Sequence, residues 1–216
     1  MKTVVVTGGT TRLGRIIADR LIAAGWGVLR SSHRPEAGAD FVADLAAPSG
    51  AALLFQAIRA RLAGEAPFAL VNNAALFTGS DDAIRRVDFE APVALMRLMA
   101  EQARGGCVVN ILDAAVLAPV DSPLHAARPR AYTEAKRALA DETRRAARVY
   151  GGALRVNAVA PGPVLAPTGV HEKAGDCPLG RPTPEAVAEA VAFLLSASYT
   201  TGVILPVDGG TSMRGE

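Results

Sequence analysis

Tyr132 and Lys136, in the segment AYTEAKRAL, are the first residues whose types and spacing suggest chemistry. Four residues apart on a predicted helix, they share one face. An ammonium beside a phenol is expected to lower the phenol's pKa and make it a usable acid or base near neutrality. Lysine occurs only at positions 2, 136 and 173, in a chain that otherwise uses arginine for its cations. A compact ammonium that must hold a ribose hydroxyl explains that choice at 136.

The stretch TGGTTRLG at residues 7–14 follows the apolar run TVVV and opens a predicted helix near Leu13. A glycine turn in that place suits a phosphate, because helix N-terminal amides and the helix dipole both favour an anion. Gly8 and Gly14 shape the turn and the close helix–sheet packing, while Arg12 stands where a small residue is usual. A plain turn is the competing reading. The second predicted strand ends RSSHR, with Ser32, His33 and Arg34 and no acid. An acid there would select a ribose 2′-OH; cationic and hydroxyl donors suit a 2′-phosphate, so NADPH is the expected cofactor.

These groups need a scaffold, and the chain supplies one by alternation. Short β-branched runs read as strands at 3–7, 27–31, 41–44, 68–71, 107–112, 154–161 and 202–207. Helical periodicity fills the gaps near 13–24, 49–63, 82–103, 131–149 and 184–197. Alternating strands and helices imply βαβ units, hence an α/β fold with a doubly wound parallel sheet, helices on both faces, and ligands outside the carboxyl ends of the strands. The length of 216 residues suits a single domain, 1–216. Two segments read as loops: 114–130, containing DSPLHAARPR, and the proline-rich 161–183.

The composition, 50% hydrophobic and 20% charged with a net charge of +2, is that of a globular protein and gives no reason to expect nucleic acid as a partner. Cations do gather at one end: Lys2, Arg12, Arg15, Arg20, Arg30 and Arg34 face the single acid Asp19 within residues 1–34. That is either a solvated helix face or the site of an anionic ligand. Cys107 and Cys177 are isolated and suggest neither a disulfide framework nor a metal site. No apolar stretch is long enough to span a bilayer and no leader is visible, so a cytoplasmic location is the default.

Taken in order, TG-x₅-G, VNNA (71–74), Tyr132-x₃-Lys136, PGPV (161–164) and VDGG (207–210) resemble the short-chain dehydrogenase/reductase family along the whole chain. The resemblance implies a seven-stranded Rossmann fold and a nicotinamide cofactor, with Tyr132 as proton donor and Lys136 on the nicotinamide ribose. It carries Thr7, Gly8, Arg12, Leu13, Gly14, Asn72, Ala74, Pro161, Gly162 and Val164 to the cofactor, and Asp44 and Leu45 to its adenine. The strand before VDGG commonly lies at a subunit contact in that family, which implies a homo-oligomer, a tetramer.

Where that family places a serine, NILD places Asp113. An ionised carboxylate repels the alkoxide formed from a ketone, whereas a protonated carboxyl can deliver a proton to nitrogen when a C=N bond is reduced. With Arg12, His33, Arg34 and the ring of Phe77 after NNA, the chain resembles the pteridine reductases and their dihydropteridine-reducing bacterial relatives. The implied reaction is NADPH-dependent reduction of a pterin C=N bond. Arg12, Phe77, Asp113 and Tyr132 contact the substrate, and Asp113, Tyr132 and Lys136 are the catalytic group. A degenerate site with a surface Asp113 is the bland alternative. The rival functions are a general NADP-dependent ketoreductase for 3-oxoacyl or small carbonyl substrates, and a non-catalytic NADP(H)-binding sensor.

Three features depart from the pattern. Asp113 and Tyr132 are 19 residues apart, separated by the 114–130 insertion; the covering segment before the penultimate helix is short; and Asp88 falls about where a structural asparagine is common. His125 and His171 lie in variable loops and are expected at the surface.

Overall fold

The computed structural model describes residues 2–102, 105–119, 122–126, 128–165 and 177–213. His171 and the middle of the 161–183 loop lie outside the described residues, as do positions 120, 121 and 127 of the insertion.

Seven parallel strands form one sheet: β1 (Thr3–Thr7), β2 (Gly27–Ser32), β3 (Phe41–Val42), β4 (Ala69–Asn72), β5 (Gly106–Ile111), β6 (Leu154–Pro161) and β7 (Ile204–Val207). The spatial order is β3-β2-β1-β4-β5-β6-β7. The chain winds outward from β1 to β3 and then returns to place β4 beside β1. That reversal opens a crevice at the carboxyl ends of β1 and β4.

The strands are apolar on both faces because helices cover both. Side chains alternate across the sheet, so Val5, Leu70 and Val108 face one layer, while Val4, Val6, Val71 and Val109 face the other. The first layer is α2 (Gly50–Arg61), α4 (Ala91–Ala100) and α6 (Arg130–Val149), anchored by Leu54, Ile58, Leu95, Met99 and Leu139. The second is α1 (Arg12–Ala23) and α7 (Pro184–Ser196), anchored by Ile17, Leu21, Val187, Val191 and Leu194. At the far end of α7, Arg155 donates to the carbonyls of Leu194 and Leu195, placing a cation on the helix C-terminus.

The helix expected over 82–103 is more complex than its periodicity suggests. It begins as α3 (Asp81–Arg85), capped by Ser80 Oγ on Ala83 N, passes through one π-helical turn (Arg86–Glu90) and continues as α4. The wider turn brings Asp88 to full burial. The insertion contains a 3₁₀ turn (Ala114–Val116) and a short helix, α5 (Pro123–Ala126), before α6 begins at Arg130. The strand expected over 41–44 is paired only at Phe41 and Val42.

Candidate functional site

A cleft of about 520 Å³ lies over the carboxyl ends of β1, β4, β5 and β6. Its phosphate-binding end is the glycine turn. Gly8 sits at φ +61°, and a Cβ there would lie 3.2 Å from Ala74 Cα. A Cβ on Gly14 would collide with the Gly8 carbonyl, so the first turn of α1 packs directly on the loop. The N–H groups of that turn have no intrahelical acceptor. Thr11 offers no side-chain cap, and the first turn carries no acid. This donor set fits a diphosphate. Arg12 lines the cleft with an exposed side chain and holds φ +48°, a left-handed conformation that costs a non-glycine residue about 1–2 kcal/mol.

Leu13, Ser32, His33, Asp44 and Leu45 also line the cleft, as do Ala74, Phe77, Pro161, Gly162 and Val164. Three residues expected at the cofactor do not line it. Thr7 is buried, and its hydroxyl bonds to Val71 O at 3.4 Å while accepting from Asn73 N at 2.9 Å and Ala74 N at 3.0 Å. It ties β1 to β4 and has no lone pair to spare for a ligand. Asn72 points into the protein, donating to Asn110 Oδ1 at 2.8 Å within a chain that continues to Thr143. Its neighbour Asn73 lines the cleft instead, with Nδ2 on the carbonyls of Thr7 and Gly8. Arg34 is an exposed side chain, 67% accessible, paired with Glu36 at 3.7 Å.

Glu36 is the acid that the strand-end reading passed over. It lies two residues beyond Arg34, yet its carboxylate accepts from Thr10 Oγ1 of the glycine loop at 2.6 Å. That hydrogen bond, with smaller help from Ser32 and Arg34, holds the carboxyl below its ordinary value. Sequence spacing gives no sign of this, because the loop after β2 must fold back to make it.

At the other end of the cleft, Tyr132 and Lys136 share the buried face of α6, as their spacing requires. The ammonium lies over the Tyr132 ring, but its polar partners are elsewhere. Lys136 Nζ sits 3.0 Å from Asp88 Oδ1 and donates to Ile111 O at 3.0 Å, while lying 5.6 Å from the centre of the Tyr132 ring. Burial pushes the Tyr132 phenol well above its ordinary value, and the negative charges of Asp113 and Asp88 push it the same way; Arg128 opposes them. The phenol is thus held neutral, with its proton on.

Asp113 lies at the end of β5, where its Oδ1 caps the 3₁₀ turn by accepting from Ala115 N at 2.9 Å. Its Oδ2 accepts from Arg128 Nε at 2.8 Å and from the Tyr132 hydroxyl at 3.4 Å. Asp113, considered from the sequence as a proton donor backing Tyr132, is an acceptor in an ion pair with Arg128. Sequence spacing gives no sign of Arg128 here, because it belongs to the insertion and its reach depends on how that insertion folds. Phe77 meets Tyr132 edge-on, with ring centres 5.0 Å apart. His125, expected at the surface, is half-buried, with Nε2 2.9 Å from Pro119 O and 3.1 Å from Arg137.

Among the described residues, no group of His, Cys, Asp or Glu side chains has the arrangement of a metal site, and no helix is long and apolar enough to cross a membrane. Cys107 is buried, and its thiol is pushed up to about 11 by that burial.

The family described as enoyl-(acyl carrier protein) reductase matches residues 10–212. The chain is 32% identical to Protein FixR of Bradyrhizobium diazoefficiens, over 97% of this chain and 86% of that protein. It is also 32% identical to the 2,5-dichloro-2,5-cyclohexadiene-1,4-diol dehydrogenase of Sphingobium indicum, over 97% and 96% respectively. Among solved structures, FolM alternative dihydrofolate reductase 1 from Brucella canis, complexed with NADP, superimposes with a TM-score of 0.84 at 26% identity, covering 100% of this chain and 95% of that one. With the β1–β4 crevice, the glycine turn and the Tyr132–Lys136 face in place, the chain belongs to the short-chain dehydrogenase/reductase family of oxidoreductases.

Proposed function

We propose that the protein is an NADPH-dependent reductase that transfers hydride to a ring C=N bond of a pterin. One observation carries this reading: Phe77, Tyr132, Asp113 and Arg128 converge at one end of the cleft. A flat aromatic wall beside a fixed acceptor and donor suits a planar heterocycle edged with N–H and C=O groups. The likeness to the NADP complex of an alternative dihydrofolate reductase supports both the substrate class and the cofactor.

In this reading the first-turn amides of α1 and the Arg12 guanidinium would hold the diphosphate. Ser32 and His33 would take the 2′-phosphate, and Lys136 would take the nicotinamide ribose. A dihydronicotinamide held there would supply two electrons and a hydrogen as hydride. As the new C–H bond forms, the C=N π pair moves to nitrogen, which takes the proton of the Tyr132 hydroxyl. The phenolate left behind regains a proton from solvent. The hydroxyl proton points to Asp113 Oδ2 at 3.4 Å, a long hydrogen bond that it exchanges for the substrate nitrogen when it is donated. A raised phenol pKa keeps the acid loaded across the neutral range.

A second reading has its own support. Arg128 offsets the Asp113 charge, which weakens the objection to an alkoxide and leaves ketone reduction open. The relative named as a cyclic diol dehydrogenase points the same way. The deciding experiment follows NADPH consumption with a dihydropterin and with a small β-keto ester. Turnover of the ketone alone overturns the pterin assignment. Background rates with both, equal in wild type and Tyr132→Phe, favour a protein that binds NADP(H) without turnover.

A further inference from the structure

The 114–130 insertion delivers a cation to the carboxylate beside the proton donor. We propose that Arg128 is a positioning residue for the reduction: it occupies Asp113 Oδ2, so that the Tyr132 hydroxyl is held there only by a long hydrogen bond and can turn its one proton to the substrate, and it offsets the negative charge that Asp113 would otherwise set against the reacting atoms. The proposal rests on the reductase reading above, but not on which C=N or C=O bond is reduced.

The geometry leaves Asp113 little freedom. Oδ1 is held by Ala115 N at 2.9 Å, so the carboxylate plane cannot swing. Oδ2 must then serve Arg128 Nε at 2.8 Å and the Tyr132 hydroxyl at 3.4 Å together. Arg128 is itself tethered, donating through a terminal nitrogen to the Leu124 carbonyl of α5. The two side chains are 6% and 13% exposed, so their attraction is only partly screened by water. Asp113 faces a guanidinium, an amide and a phenol, all donors, so its place in the site is that of an acceptor, and Tyr132 is the donor. Tyr132 registers the pair as well, since the Arg128 guanidinium works against the upward push of Asp113 on its phenol.

The pair also explains how the active site tolerates aspartate at 113. An uncompensated carboxylate would oppose electron density arriving on substrate nitrogen or oxygen. With Arg128 beside it, the charge at this position is offset. The insertion thus supplies the residue that makes this substitution workable.

A double-mutant cycle on the full chain tests the proposal, with steady-state NADPH oxidation measured on both a dihydropterin and ethyl acetoacetate. Arg128→Gln is expected to lower kcat by about 10²-fold while the KM for NADPH stays within about twofold. Arg128→Lys, which keeps the charge, is expected to recover about tenfold of that loss. In an Asp113→Ser background, Arg128→Gln is expected to change kcat by less than about threefold, because the Asp113 charge that Arg128 offsets is gone. Equal losses in both backgrounds overturn the proposal, as does an Arg128→Gln enzyme with wild-type kcat. If Arg128→Gln alone fails to fold, the Asp113→Ser/Arg128→Gln double variant and Arg128→Lys carry the test. In that case an Asp113→Ser enzyme that loses activity on gaining Arg128→Gln overturns it. A wild type that ignores the dihydropterin but reduces the keto ester sinks the pterin assignment only, and the cycle is then scored on the ester. A wild type inert with both sinks the two together.

Discussion

Lys136 and Asp88 form an ion pair inside the protein, with Nζ 3.0 Å from Oδ1 and the side chains 3% and 0% exposed. The remaining Asp88 oxygen accepts from Leu76 N at 2.9 Å, and Lys136 also donates to Ile111 O. One pair therefore joins the π-turn, α6, the end of β5 and the loop after β4. Burial pushes the Asp88 carboxyl above its ordinary value, and the ammonium pulls it back. Asp88 thus occupies the position expected for a structural asparagine as a counter-charge for the lysine.

Removing either partner leaves an uncompensated buried charge. Asp88→Ala and Lys136→Met are each expected to cost about 3–5 kcal/mol in urea unfolding. The double variant is expected to cost clearly less than the sum of the two. Strict additivity would show that the two groups do not depend on each other.

Tyr132→Phe removes the hydroxyl and keeps the ring that Phe77 packs against. Turnover is expected to fall by about 10²–10⁴-fold, with NADPH affinity nearly unchanged. Because burial, Asp113 and Asp88 all raise the phenol, its neutral form persists as the pH climbs. The wild-type reduction rate should therefore show no Tyr132-dependent decline up to about pH 9. A pH–rate profile with a basic limb near neutrality that vanishes in Tyr132→Phe would contradict this.

Glu36 places a carboxylate between Thr10 of the glycine loop and Arg34. A carboxylate there disfavours a second anion and occupies Arg34. Glu36→Ala should tighten NADPH binding by about 3–10-fold and affect NADH less, since only NADPH carries the 2′-phosphate. Fluorescence titration with the two cofactors measures both changes. Equal tightening of both would show that Glu36 does not act on the 2′-phosphate.

Asp208 closes the sheet end beside Gly162, accepting from Gly210 N at 2.9 Å and Ser212 N at 2.8 Å. Burial works against its ionised form, yet the bonds from Ser212 and Gly210 prevail and hold the carboxyl below its ordinary value. Its contribution to stability is present above the unfolded value, about pH 4, and is lost as the pH falls through the lowered folded value. Asp208→Asn should cost about 1–3 kcal/mol at pH 7. Thermal melts of the two proteins should converge as the pH drops below about 4. A difference that persists undiminished in acid would rule out ionisation as the cause.

The alternation of strands and helices, the glycine turn and the shared face of Tyr132 and Lys136 were legible in the residues alone. All three are local: they follow from a two-residue or 3.6-residue period, or from the steric demands of one turn. What failed were judgements about which way a side chain points and what meets it. In VNNA, successive residues face opposite sides of the strand, so choosing Asn72 over Asn73 required knowing which side faces the cleft. The reading of Asp113 required Arg128, 15 residues away in an insertion with no period of its own. That of Lys136 required Asp88, brought to full burial by a π-turn that hydrophobic spacing cannot distinguish from continuous helix. Tertiary packing decided each of these. Charge pairing acts through space over a few ångströms, and only the folded chain sets those distances.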